Sequence, residues 1–344
     1  MESKLKLAIT YHQKNQFKKA KNIYQNILIT EPNNEQATFL LSTLLIQTKN
    51  FSEAITLLKK LTENYENYHY FSNLGIAYSE VRDFESAISS FHKSISLKNN
   101  FSHNYNNLGN IYSKLNNFID AERMYKKALD FEINDSFKLN ISNLYKNHGD
   151  YISAQKYLNE IQYTSHEFYD ATLGLIEIYF ANQSYSKIIE RLTLHKKYYP
   201  LDESLKLFDY ESRILSDEIS DNFDFKDMGV NANLFLKGLL KFKSDNFIKA
   251  INFLEMIDDN FSFMERVDNL RAYAYFNLQK LENALSITKS STNPSLKLLN
   301  GLIRLQNKDF KGFEDYLFRC KNLKPHLLYL NDIPNCKSLD FLKI

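Results

Sequence analysis

The chain has 344 residues, with 43 lysines and arginines against 41 aspartates and glutamates, so its formal net charge is only +2. This balance disfavours a partner held mainly through phosphates, and we expect neither nucleic acid nor an anionic membrane as partner. Two cysteines, Cys320 and Cys336, are too few for a disulfide framework or a zinc site, and no apolar run approaches the roughly 20 residues that span a bilayer. These features predict a cytoplasmic protein with no cofactor.

Alanine recurs every 33 or 34 residues through most of the chain, and a large apolar or aromatic side chain stands three residues before each alanine. Self-similarity at this period indicates stacked structural units that bury their apolar faces on one another. The alanines are Ala20, Ala54, Ala87, Ala121, Ala154, Ala250 and Ala284.

Residues 102–134 show why the unit is predicted to be a pair of helices. Tyr105, Leu108, Gly109 and Tyr112 have the spacing of one helical face. A short polar turn follows, and then a second set with helical spacing completes a helical hairpin. That second set is Phe118, Ala121, Tyr125 and Ala128.

Small residues recur at position 8 of the unit, as in Gly75 and Gly109, where we expect two helices to pack closely against the alanine of position 20. A glycine inside a helix costs about 1 kcal/mol relative to alanine, so its recurrence implies that close packing compensates. Prolines share position 32, where the second helix must end. They are Pro32, Pro200 and Pro325.

These columns resemble those of the tetratricopeptide repeat family, with an aromatic near position 4, Leu-Gly at positions 7 and 8, tyrosine at 11, alanine at 20, an aromatic at 24 and proline at 32. Residues 1–34 and 68–134 carry the pattern best. Ile188 and Phe313 replace the alanine in two weaker units. The resemblance implies an all-α solenoid, a right-handed superhelix of about nine helical hairpins.

We divide the chain by this repeat pattern. An N-terminal array of about six repeats covers 1–202, and about three further repeats cover 231–327, followed by a tail over 328–344. Between the arrays, 203–230 breaks the period, with one predicted helix followed by an acidic stretch. We interpret it as a degenerate repeat and an acidic connection that divides the solenoid into two arms. The alternative is a repeat that has decayed without any consequence for function.

In tetratricopeptide arrays, the face of the first helix opposite the core lines a concave groove, and here that face carries repeated asparagines. An amide can pair with a peptide backbone whatever its side chains are, so the row predicts a site for an extended peptide. It resembles the asparagine ladder in the repeat arm of O-linked N-acetylglucosamine transferases, although a solvated polar face remains the alternative. The asparagines are Asn73, Asn107, Asn110, Asn140 and Asn143.

His69 and His103 share position 2 of adjacent units, and we include them in the peptide-binding groove. Neither has the cysteine or carboxylate neighbours in sequence that a metal site needs, so we predict no metal. Leu5 and Ile9 occupy positions where a chaperone-binding array would carry its carboxylate clamp, which disfavours that activity.

No phosphate-binding loop, zinc-protease motif or nucleophile elbow occurs in the sequence, so we predict no enzymatic activity. The favoured function is a protein-binding or peptide-binding scaffold. Gly312, Phe313, Tyr316 and Arg319 resemble the element that ends the repeat arm in bacterial tetratricopeptide glycosyltransferases, although Leu317 replaces its glutamate. A substrate-recognition arm without its catalytic domain is therefore the alternative, and a self-assembling array is a third hypothesis.

Overall fold

A computed structural model describes residues 2–220, 223–289 and 294–306. These residues form helices and their connections without a β-strand, which confirms the predicted all-α tetratricopeptide solenoid. In chain order the helices are α1 Glu2–Gln13, α2 Phe17–Thr30, α3 Glu35–Gln47, α4 Phe51–Asn64, α5 Tyr68–Glu80, α6 Phe84–Leu97, α7 Ser102–Lys114, α8 Phe118–Phe131, α9 Asp135–His148, α10 Tyr151–Asn159, α11 Phe168–Ala181, α12 Tyr185–Lys196, α13 Glu203–Leu215, α14 Val230–Lys243, α15 Phe247–Leu254, α16 Met264–Asn277, α17 Leu281–Thr288 and α18 Pro294–Gln306.

A left-handed backbone residue closes the turn inside each hairpin. In the fourth hairpin Asn116 has φ 57°, and the amide of Asn117 donates to the carbonyl of Tyr112 over 2.9 Å. A residue in the left-handed region after a helix lets the next backbone amides donate to the last carbonyls of that helix, and it reverses the direction of the chain. The residues in this conformation are Asn15, Lys49, Arg82, Asn116, Gly149, Gln183, Asp217, Asp245 and Gln279.

The repeated alanines are fully buried, as predicted, and Ile188 is also fully buried at the equivalent position. The side chain nearest to the position-8 glycine is the one at position 24, and the expected alanine is also close in one repeat, where a Cβ on Gly238 would lie 3.5 Å from the backbone oxygen of Ala250. A Cβ built on Gly109 would lie 2.6 Å from the ring of Tyr125, and one on Gly75 would lie 2.8 Å from Phe91. The glycine therefore makes room for a ring.

The chain divides into two compact units, one ending at Gln162 and the other beginning at Tyr163. In the first unit, the first helices of successive hairpins contact one another in series, whereas successive second helices make few or no such contacts. The series is α1, α3, α5, α7 and α9. These helices therefore form the closely packed side of the first unit. The repeat boundaries given above are a different division and remain a prediction.

In the second unit, residues 203–230 contain the predicted helix, α13, followed by a turn at Asp217 like that of the other hairpins. The described residues from there to Gly229 form no α-helix. Phe225 is fully buried and Met228 nearly so. This segment therefore contributes single buried side chains to the core where other repeats contribute a second helix, and its origin as a degenerate repeat remains a prediction.

A buried ion pair joins α13 to α16 in the second unit. The Glu211 carboxylate lies 2.7 Å from the Arg266 guanidinium, and Glu211 is 6% exposed. The guanidinium carbon lies 5.0 Å from the ring centroid of Phe180 and 5.1 Å from that of Phe208. Arg266 thus gains both a counter-ion and aromatic neighbours, the conditions under which a buried charge is tolerated.

No helix among the described residues has the length and apolar character needed to cross a membrane.

Candidate peptide-binding surface

The predicted asparagines lie along the first helices of the first unit, a surface that we call the first-helix surface (α3, α5, α7 and α9). Asn73, Asn107 and Asn140 occupy equivalent places on α5, α7 and α9, and each is half-buried. The three amides therefore lie at the same position of their respective helices. Their hydrogen bonds, however, differ from one to the next.

Two of the amides bridge neighbouring first helices. Asn73 Nδ2 donates to Thr43 Oγ1 on α3 over 3.1 Å, and Asn140 Nδ2 donates to Asn106 Oδ1 on α7 over 3.0 Å. Asn106 is itself 8% exposed, so this bond satisfies a buried polar group. These side chains hold adjacent repeats in register.

Asn110 is hydrogen-bonded within its own hairpin, because its Oδ1 accepts a hydrogen bond from the hydroxyl of Tyr125 over 2.7 Å. Burial raises the pKa of Tyr125, so this hydroxyl keeps its proton and remains a donor. Tyr125 is also the residue whose ring covers Gly109. The bond therefore fixes the ring that sets the spacing of α7 and α8.

Asn107 and Asn143 have side-chain amides with no hydrogen-bond partner among the described residues, and both are half-buried. On α5, Ile76 occupies the place that Thr43 holds on α3, and it offers no polar atom. Ser72, which holds on α5 the place of Asn106 on α7, donates its hydroxyl proton to Asn104 Oδ1 over 2.7 Å. Asn107 is therefore left with unused donors and an unused acceptor.

The two predicted histidines lie in a row of rings that crosses the same helices near their amino ends. His69 lies 6.4 Å from Phe39 and 5.8 Å from Phe101, and His103 lies 5.4 Å from both Phe101 and Phe137, as measured between ring centroids. Both histidines therefore contact aromatic rings. No group of three or more metal-ligating side chains occurs among the described residues.

The charges around this aromatic row are unevenly distributed. Partial burial and, to a smaller extent, the charge of Lys98 lower the pKa of His69. Hydrogen bonds from Ser102 and Asn134 lower the pKa of Glu132, which stays ionised near His103. His69 thus lies in a positive environment, whereas His103 lies beside a carboxylate.

The sequence analysis missed three members of this row and of its surroundings. Tyr68 packs on His69 with ring centroids 3.9 Å apart, and Phe101 lies between the two histidines. The Lys98 ammonium group lies over the rings of Tyr68 and Phe101. Tyr68 and Phe101 are respectively the first residue of a unit and the residue before one, so the repeat alignment could have placed both near position 2. Nothing in the repeat alignment indicated that Lys98 would lie beside these rings.

Family comparisons agree with this architecture. Three models described as tetratricopeptide repeat match residues 11–74, 71–105 and 105–131. Together with the hairpin geometry, these matches show that residues 11–131 consist of tetratricopeptide repeats. The presence of these repeats supports the interpretation of the protein as a protein-interaction scaffold. The matched residues include most of the first-helix surface.

Among solved structures, PilF of Pseudomonas aeruginosa aligns over 61% of this chain and 96% of its own, with 18% identity and a TM-score of 0.50. A tetratricopeptide repeat protein of Parabacteroides merdae aligns over 79% and 98%, with 15% identity and a TM-score of 0.48. MamA aligns over 44% and 89%, with 22% identity and a TM-score of 0.41. At these identities the likenesses concern the fold alone. No curated protein matches the sequence significantly.

The glycosyltransferase-like element at residues 312–319 and both cysteines lie outside the described residues. The resemblance to a glycosyltransferase repeat arm therefore remains a prediction from the sequence.

Proposed function

We propose that this protein is a non-enzymatic scaffold whose first unit holds an extended peptide along the first-helix surface. The observation that supports this most is the pair of half-buried amides, Asn107 and Asn143, that have no partner among the described residues. An unsatisfied polar group that is partly removed from water gains most when a ligand supplies its missing hydrogen bonds.

The chemistry of an amide suits a polypeptide backbone. Each asparagine offers two N–H donors and a carbonyl acceptor, which match the carbonyl and amide groups of an extended chain. One such bond contributes only about 0.5–1.5 kcal/mol net, so Asn107 and Asn143 would act together with apolar contacts. Recognition through backbone groups would tolerate varied peptide side chains.

The paired asparagines support the same function in a different way. The bonds of Asn73 to Thr43 and of Asn140 to Asn106 fix neighbouring first helices before any ligand arrives. A rigid surface loses less conformational entropy on binding than a mobile one. Asn73, Asn110 and Asn140 are therefore proposed to position the surface, and Asn107 and Asn143 to bind.

The test uses peptides selected by the full-length chain from a phage-displayed library of random linear peptides. Isothermal titration calorimetry then compares wild type, the Asn107→Ala/Asn143→Ala variant and an Asn22→Ala/Asn26→Ala control on the exposed side of α2. We expect the first variant to bind about ten- to a hundredfold more weakly, as two lost hydrogen bonds imply, and the control to bind normally. Equal affinities of both variants would rule out the proposed surface.

A further inference from the structure

Lys98 is a half-buried cation without a counter-ion among the described residues. Its Nζ donates to the hydroxyl of Tyr68 over 3.0 Å and lies 4.4 Å from the centroid of the Tyr68 ring and 5.9 Å from that of Phe101. Aromatic faces attract a cation but leave its formal charge uncompensated. The remaining donors of the ammonium group are free to bind an anion.

Three carboxylates at neighbouring helix ends are engaged elsewhere. Glu66 pairs with Lys93 at 2.7 Å, and Glu35 accepts a hydrogen bond from Tyr70 over 2.6 Å. Glu132 accepts from Ser102 and Asn134. None of these three carboxylates pairs with Lys98.

Two further features make this location positive. Helix α5 begins at Tyr68 and α7 at Ser102, and the amino end of a helix carries partial positive charge. His69 lies against Tyr68 and Phe101, so rings cover part of the space beside the ammonium group. An anion placed here would be partly shielded from water, which strengthens its attraction to Lys98.

The location is continuous with the first-helix surface. His69 and Asn73 are four residues apart on α5, as are His103 and Asn107 on α7, so each pair shares one helix face. A peptide lying across Asn107 therefore passes one helical turn from the rings beside Lys98. We call Lys98, Tyr68, His69 and Phe101 the Lys98 cluster.

We propose that the Lys98 cluster binds an aspartate or glutamate side chain of the peptide held on the first-helix surface, so that the scaffold selects acidic peptides. This inference rests on the proposed function and adds a specificity to it. One unpaired lysine suits a single carboxylate. A nucleic acid would instead need several cations in a row, and the chain carries a net charge of only +2.

The experiment compares each selected peptide with a counterpart in which every aspartate and glutamate becomes asparagine or glutamine. All peptides carry an amidated C-terminus, so that only side-chain carboxylates are compared. Calorimetry is performed with wild type, with Lys98→Met and with Lys127→Met, a control that removes an exposed lysine lying over Tyr105. Circular dichroism confirms that each variant is folded.

We expect wild type and Lys127→Met to prefer the acidic peptide about tenfold, the size of one charged hydrogen bond, and Lys98→Met to bind both peptides alike. Equal binding of both peptides by wild type overturns the inference, and this result requires no variant. A preference for the acidic peptide that survives Lys98→Met also overturns it. A preference that depends on Lys98 but not on Asn107 and Asn143 would retain the cluster and refute the proposed peptide path.

Discussion

Asn140 Nδ2 donates a hydrogen bond to Asn106 Oδ1 over 3.0 Å between neighbouring first helices, while Asn107, the next residue on α7, has no side-chain partner among the described residues. Adjacent asparagines thus have different roles, one inside the stack and one available on its surface. A pattern of repeated residue types cannot distinguish these roles, whereas mutation can.

The first prediction separates the paired amide from the free one. Asn140→Ala leaves the buried oxygen of Asn106 without its donor, so we expect the free energy of unfolding to fall by about 1–3 kcal/mol. Asn107→Ala breaks no bond and should change it by less than about 0.5 kcal/mol. Urea unfolding followed by circular dichroism measures both values, and equal losses would contradict this assignment.

The second prediction concerns the glycine beneath Tyr125. Gly109→Ala gains about 1 kcal/mol of helix propensity but places its Cβ 2.6 Å from the ring, so we expect a net loss of about 1–2 kcal/mol. Adding Tyr125→Leu should make the pair less destabilising than the sum of the single changes, because leucine removes the ring with which the new Cβ collides. Additive losses in thermal unfolding would show that the ring does not set the helix spacing.

The third prediction concerns the buried pair of Glu211 and Arg266. Arg266→Met leaves the carboxylate buried without its counter-ion, and the expected loss is about 3–5 kcal/mol. The double variant Glu211→Leu/Arg266→Met removes both charges and should regain most of that stability. Chemical denaturation monitored on the full chain tests this, and a double variant as unstable as the single one would count against it.

The fourth prediction concerns pH. His195 is 2% exposed, its Nδ1 lies 3.1 Å from Thr172 Oγ1, and burial followed by the charge of Arg191 lowers its pKa. Because the unfolded chain then binds the proton more readily, the stability contributed by neutral His195 is lost as the pH falls from about 7 to 5. His195→Gln should flatten the unfolding free energy over this interval, whereas His92→Gln at an exposed site should leave the slope unchanged. A slope unaffected by His195→Gln would refute the prediction.

The sequence predicted the hairpins well, because one requirement repeats in every unit. Ala121 and the other repeated alanines lie where two helices meet, and all are fully buried. The helix at 203–215 was also predicted, although the buried position of Phe225 was not. Phe225 is buried in a segment that lacks the second helix of a repeat, so no column of the repeat alignment corresponds to it.

The candidate site was predicted only in part. Spacing placed Asn73, Asn107 and Asn140 at equivalent positions on three helices, because helical periodicity determines direction. It could not show that Asn73 and Asn140 find partners, since this depends on whether the neighbouring helix offers a polar atom, as Thr43 does and Ile76 does not. Lys98 was missed because its importance comes from its unpaired charge beside two rings.

The most direct test of the proposed peptide path follows the side-chain amide resonances of Asn107 and Asn143 by nuclear magnetic resonance while a selected peptide is added. We expect both resonances to shift and to saturate with the calorimetric affinity, while those of Asn22 and Asn26 stay in place. Saturating shifts confined to the second helices, with Asn107 and Asn143 unchanged, would contradict the account.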